Sequence, residues 1–227
     1  MEHPVVQAFN LLISGDREVY FIAFTSLRIS LMSTGISALI SIPLGILLHF
    51  STFRFKRAVV AVLNALMALP TVVIGLFVFS LISRSGVFGP LDLLFTPGAI
   101  VIGHIILATP ILISMVYSGL SKIDDRFHET LITLGARKKD ILFASLLEAR
   151  FVIISSILAG FGRVIGEVGV SMMLGGNIRW YTRTMTTSIA LETSKGEFEL
   201  GLALGLILLT IALVVNGVIH ILIRKET

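Results

Sequence analysis

Apolar residues gather into five blocks, at about residues 21–50, 58–82, 99–117, 151–175 and 200–223, with shorter polar stretches between them. Each block can hold the roughly 20 apolar residues that a membrane-crossing helix needs. The pattern predicts an all-α integral membrane protein, a single domain over residues 1–227 with about five spans.

The polar interruption at residues 118–150 has a rhythm of its own. Phe127, Leu131 and Leu134 fall on one helical face, opposite Arg126, His128, Glu129 and Thr133. Ser121 and Asp124 have capping-box spacing, and Gly135 stands where a left-handed residue ends a helix. A helix of about ten residues is marginal in water, so this apolar face needs something to pack on. Ala136, Arg137, Lys138, Lys139 and Asp140 then lead into a second periodic stretch. An ordinary helical hairpin between two spans would explain the same residues.

Polar residues inside the blocks are few. Pro70, followed by Thr71, removes a backbone donor in the second block and predicts a kink facing the bundle interior. Arg163 and Glu167 in the fourth block are four residues apart, on one face of a helix. Unpaired in a bilayer, either charge costs about 2.5–3.5 kcal/mol, so the two should pair and face protein or water. Gly162 and Gly166 have the spacing that lets another backbone approach. A pair of this kind can gate a path, or only fix helix packing. His104 reads as a shallow interfacial histidine, and residues 4–13 as a helix lying on the membrane. Residues 176–199 read as a polar segment, with Trp180 and Tyr181 at the membrane interface and Arg179 and Arg183 solvated.

Composition agrees with a membrane protein: 55% of residues are hydrophobic and only 14% charged, against about 25% charged in soluble domains. The net charge of +4 would suit a nucleic-acid partner in a soluble protein; here the positive-inside rule accounts for it, and no nucleic acid is expected. Arg54, Lys56 and Arg57, the cations of residues 118–150, and Arg224 and Lys225 outnumber Arg17, Arg84, Arg179, Arg183 and Lys195 on the other side. The amino terminus is therefore expected outside and the carboxyl terminus in the cytoplasm. Asp16, Arg17 and Glu18 interrupt the first apolar stretch, so it does not read as a cleaved signal.

With no cysteine, thiolate metal sites and cysteine nucleophiles are excluded. No Gly-Lys dipeptide occurs, so there is no P-loop, and no metal-ligand cluster or serine triad is apparent. The chain is expected to bind no cofactor and to act as no enzyme.

Glu129-Thr-Leu, three residues, then Gly135 resembles the E-A-A-x-x-x-G signature of bacterial ABC importer permeases, although Thr130 and Leu131 replace its small pair and Leu147-Glu148 stands where Leu-Pro usually closes it. Leu-Glu-Ala-Arg-Phe at 147–151 is similar to tungstate-type permeases, as is the stretch 174–184. Gly166-Glu-Val-Gly169 resembles the Gly-Glu-Phe-Gly element of molybdate, tungstate and sulfate permeases, and the segment around Pro70 their second span.

The resemblance implies a type I ABC importer permease in a prokaryotic inner membrane, working as a homodimer with two ATP-binding subunits and an extracytoplasmic binding protein. ATP and Mg would sit on the partner ATPase. Glu129, Leu131, Leu134, Gly135, Ala136, Arg137, Lys138 and Asp140 would couple to that ATPase. Pro70, Thr71, Arg163, Gly166, Glu167, Gly169 and Ser171 would line or gate the path. Tungstate is the implied substrate, with molybdate or sulfate next. A secondary transporter using Glu167 or His104 is the rival of another class, although the inverted repeats expected of one are not found; a membrane enzyme would need clustered catalytic groups.

Overall fold

The computed structural model describes residues 3–123 and 125–224. Asp124 and Lys225 lie outside the described residues, as do the side chains of His128, Lys138 and Arg224. The described chain is helical throughout apart from turns and connections: α1 (Pro4–Ile13), α2 (Arg17–Phe50), α3 (Lys56–Met67), α4 (Thr71–Ile82), α5 (Pro97–Leu120), α6 (Asp125–Thr133), α7 (Lys138–Glu148), α8 (Arg150–Ile165), α9 (Gly169–Gly175), α10 (Met185–Lys195) and α11 (Phe198–Arg224). By length and composition α2, α5 and most of α11 can each cross a membrane, and the bent pairs α3–α4 and α7–α8 bring the number to as many as five.

The centre of the bundle is the packing of α2 on α5. Ser26, Ser30, Ser33, Ser37 and Ser41 recur along the buried side of α2, small enough to let the two backbones come close. Ser26 and Ser33 donate within the helix to the carbonyls of Ile22 and Ile29, Ser41 donates across it to the Thr109 carbonyl at 3.3 Å, and buried Ser37 Oγ has no partner among the described residues. Gly45 extends the stripe: a Cβ there would stand 2.8 Å from Val116 Cγ1. α8 covers the α2–α5 seam through Ala38, Ala108, Leu112 and Val164.

At one end, Ala8 of α1 joins Val19, Ile22, Phe161, Ile165, Met185 and Leu204 in a second apolar cluster. Residues 4–13 are helical as expected, and α1 is held on α11 by one side, with Val5 and Phe9 exposed on the other.

Two expected spans are broken. α3 and α4 meet at 98°, because Pro70 cannot donate to the preceding turn and ends one helix while capping the next. The predicted kink is a full break. The fourth apolar block does not run to residue 175 as one helix: α8 stops at Ile165, and α9 is a separate piece packed between α4 and α5 through Val170 and Leu174. The polar segment 176–199 likewise contains α10, whose start is capped by Thr184 and whose end is turned by Gly196 at φ +79°.

Candidate functional site

The break between α8 and α9 places Glu167 between Gly166 and Gly169, residues that hold a helix poorly. Its side chain is 4% exposed. One carboxylate oxygen, Oε1, accepts the backbone N–H groups of Gly169 at 3.0 Å and Val170 at 3.3 Å. The other, Oε2, accepts from the Arg163 guanidinium at 2.6 Å. One side chain therefore caps the start of α9 and pairs with the last turn of α8. Arg163 keeps 38% of its side chain exposed, so the positive charge reaches the bundle surface while the negative one stays inside.

α4 begins at the same place. The Thr71 hydroxyl lies by the Glu167 carboxylate. A Cβ on Gly169 would stand 3.0 Å from Thr71 Oγ1 and from Val72 Cγ2, and 3.3 Å from Glu167 Oε1, a tight fit that a larger residue would have to push open. A turn further on, a Cβ at Gly75 would meet Met173 Sδ at 3.2 Å and Val170 Cα at 3.4 Å. The two breaks are thus apposed, with the start of α4 seated on the start of α9. From a third side, Thr186 Oγ1 donates to the Glu167 carbonyl at 2.8 Å, while the neighbouring Met185 N–H donates to Ser26 Oγ on α2 at 2.7 Å.

Of the residues predicted to line or gate a path, Thr71, Arg163, Gly166, Glu167 and Gly169 come together here, and Pro70 adjoins them as the exposed N-cap of α4. Ser171 is partnered elsewhere: its hydroxyl lies 3.0 Å from His104 Nε2 on α5. His104 is 2% exposed and sits inside the bundle. Among the described residues Gly162 and Gly166 meet no close neighbour, their nearest being Val215 Cγ1 at 4.0 Å and the Gly162 carbonyl at 3.7 Å. That groove is open.

A network at residues 176–187 also escaped the sequence reading. Thr182 Oγ1 donates to the Gly175 carbonyl at 2.5 Å and accepts from Ile178 N at 3.0 Å, and Thr187 Oγ1 reaches Asn177 Oδ1 at 2.9 Å. Arg179 and Arg183 are not simply solvated: both pair with Glu18 at the start of α2, and the hydrogen bond to Glu18 raises the Arg179 guanidinium above the usual arginine range.

The second site is the α6–α7 turn. The backbone N–H of Ala136 bonds the Leu131 carbonyl at 3.0 Å and that of Gly135 the Ile132 carbonyl at 2.9 Å, with Gly135 at φ +79°. This is the Schellman closure expected of a glycine after a helix. Asp140 accepts the Arg137 N–H at 2.9 Å and caps the start of α7. Ser121 donates its hydroxyl to the Tyr117 carbonyl at 2.8 Å at the end of α5, and the predicted box with Asp124 lies outside the described residues. The predicted apolar face is also rearranged: Phe127 and Leu131 are half-buried, whereas Leu134 is 77% exposed beside exposed Ile132. Glu129, Gly135 and Arg137 are exposed around them. The turn presents an apolar knob ringed by polar groups, and α6 touches mainly α7. Among the described residues no group of three His, Asp or Glu side chains could hold a metal ion.

Residues 41–227 match the family described as the binding-protein-dependent transport system inner membrane component. The chain belongs to that family. It is 40% identical over 213 residues to the tungstate uptake system permease protein TupB of Peptoclostridium acidaminophilum, covering 94% of this chain and 93% of that one. It is also 40% identical over 219 residues to TupB of Campylobacter jejuni, with 96% and 91% covered, and 38% identical over 205 residues to a probable anion ABC transporter permease of Haloferax volcanii, with 87% and 88% covered. In fold it is similar to a chain of the MetNI methionine ABC transporter in an inward-facing conformation, with a TM-score of 0.71 at 18% identity and all of both chains covered. The chain is accordingly a multi-span membrane permease of the type I ABC importer fold, a transport subunit.

Proposed function

We propose that this chain is the permease of an ATP-driven tungstate importer, a homodimer that receives the oxyanion from an extracytoplasmic binding protein and takes its energy from two separate ATP-binding subunits. The observation that carries the reading is the identity of 40% to tungstate uptake permeases along nearly the whole chain. Two relatives named for molybdenum and for sulfate transport are 27% and 24% identical, which makes those oxyanions the second choice.

The amino terminus faces outside and α6–α7 the cytoplasm, where ATP is. The knob at Ile132 and Leu134, with Glu129, Leu131, Gly135, Ala136, Arg137, Lys138 and Asp140 around it, seats in the ATPase. ATP and Mg are held by that partner, in keeping with the lack of a Gly-Lys dipeptide here. Closure of the two ATPases moves α6 and α7, and α8 with them. At its far end the Arg163–Glu167 pair and the apposed starts of α4 and α9 form the joint that opens to one side or the other. Specificity for the oxyanion rests with the binding protein, since one arginine neutralised by one glutamate is no anion filter.

The test is reconstitution. The chain, purified with the ATPase that accompanies it, is placed in proteoliposomes with the cognate binding protein. ATP-dependent uptake of tungstate in preference to molybdate and sulfate supports the reading. Uptake that needs no ATPase and follows a proton gradient overturns it.

A further inference from the structure

The loop between α2 and α3 carries a charge cluster that belongs to neither site described above. Arg54, Lys56 and Arg57 stand together there, and between Glu18 and Asp92 the sequence has no acidic residue to balance them. Lys56 is partly engaged, since its ammonium donates to the His49 carbonyl at 2.8 Å and lies 5.4 Å from the Tyr117 ring centroid. Arg54 and Arg57 are exposed. With Thr52, Phe53, Val60 and Tyr117 these cations line an open cavity of about 670 Å³, a size usual for ligand clefts.

Their position is unfavourable without an anion. Lys56 and Arg57 occupy the first turn of α3, where the helix dipole disfavours positive charge. No side chain caps that end, and no acidic residue lies in the turn.

Directly beside the basic cavity, and sharing Phe53 with it, is a groove of about 270 Å³ lined by Leu44, Leu47, Leu48, Val59, Leu63 and Ile113, with Ser51 as its one polar residue. Both lie at the end of the bundle that carries α6, because His49 at the end of α2 reaches Ser121 at the end of α5. A basic pocket running into an apolar trough is complementary to a molecule with an anionic head and a hydrocarbon tail. Free phosphate would leave the trough empty, and an acidic protein surface would have no use for it.

We propose that this end of the bundle binds an anionic phospholipid, with its phosphate between Arg54 and Arg57 and one acyl chain along Leu44, Leu47, Val59 and Leu63. The lipid supplies the negative charge that the start of α3 lacks, and it anchors α3, the half of the broken α3–α4 pair that has no buried residue of its own. The inference requires only that the chain sits in a membrane, and it stands or falls separately from the choice of substrate.

The test is native mass spectrometry of the full chain, purified in detergent and titrated with phosphatidylglycerol or with phosphatidylcholine of the same acyl chains. Phosphatidylglycerol is expected to be retained about tenfold more tightly. Arg54→Gln with Arg57→Gln should abolish the preference, while Lys122→Gln, exposed at the same end, should leave it. Val59→Trp, which fills the trough from an exposed position, should weaken phosphatidylglycerol several-fold and leave binding of glycerol phosphate alone unchanged. Equal retention of the two lipids, or a preference that survives the double substitution, overturns the site. So does a double substitution that releases a co-purifying protein with no change in lipid. Indifference to Val59→Trp overturns the acyl-chain half.

Discussion

The Glu167 carboxylate and the Arg163 guanidinium meet at 2.6 Å across a helix end: the arginine lies in the last turn of α8 and the glutamate in the gap before α9. Their spacing of four residues is that of a surface pair on a continuous helix, but the work is different. Because Glu167 also takes two N–H groups of α9, the pair links two helices that the backbone alone leaves hinged.

Glu167→Gln separates these roles. Glutamine keeps an oxygen for Gly169 and Val170 and loses the charge that faces Arg163, so the fold should survive with a cost of about 1 kcal/mol, limited by the partial exposure of the arginine. Glu167→Ala also removes the cap and should cost roughly 1 kcal/mol more. Thermal unfolding in detergent measures both, and uptake by the Gln variant tells a joint from a packing contact: altered transport at normal protein level marks a joint.

Gly169→Ala tests the apposition of α4 and α9. The added methyl would stand 3.0 Å from Thr71 Oγ1 and from Val72 Cγ2, so these side chains at the start of α4 must give by a few tenths of an ångström, at about 1–3 kcal/mol where packing resists. Gly162→Ala, with its nearest atom at 4.0 Å, should be close to neutral in the same unfolding experiment. Equal effects of the two would show that α4 does not press on α9.

The open Gly162–Gly166 groove should matter between chains. If it receives a second copy, Gly166→Leu will leave the unfolding temperature of the dissociated chain unchanged while shifting the dimer toward monomer in light scattering. A stable dimer carrying leucine at that position would place the interface elsewhere.

At the α6–α7 turn, Gly135 holds φ +79°, where a β-branched side chain costs about 1–2 kcal/mol and asparagine much less. Gly135→Val should release the ATPase on co-purification and Gly135→Asn should largely keep it, with insertion into the membrane normal in both. Retention by the valine variant would refute the coupling role.

Thr182→Val keeps the shape of a fully buried side chain and removes its bonds to Gly175 and Ile178, leaving two backbone groups unpaired. A loss of about 1–3 kcal/mol is expected. Thr182→Ser should be milder, and the comparison is made by denaturant or thermal unfolding.

The apolar blocks, the capped loop at 118–150 and the Arg163–Glu167 pair were legible because each rests on local spacing. What the sequence reading missed was settled by contacts from afar. Apolar residues continue on both sides of Gly166 to Gly169, so α8 and α9 read as one span; the glycines weaken the helix there, and Thr71, arriving from α4, and Thr186, from α10, hold the broken ends in place. That His104 would be buried against α9 was not legible, because its contact to Ser171 comes from 67 residues away. α10 left usable signals in Thr184 and Gly196, but the polar composition around them reads as surface loop. The outward turn of Leu134 follows from the Schellman closure at Gly135, which swings the last residue of the helix off its face.

The length of α8 sets a mechanical scale. Its 16 residues make a rod of about 24 Å at 1.5 Å per residue, with α7 at one end and Glu167 just beyond the other. A tilt of about ten degrees about the α7 end carries the far end sideways by roughly 4 Å at that length, more than a hydrogen bond can stretch. So small a rotation leaves the carboxylate two choices: drag α9 and α4 along, or let go of them.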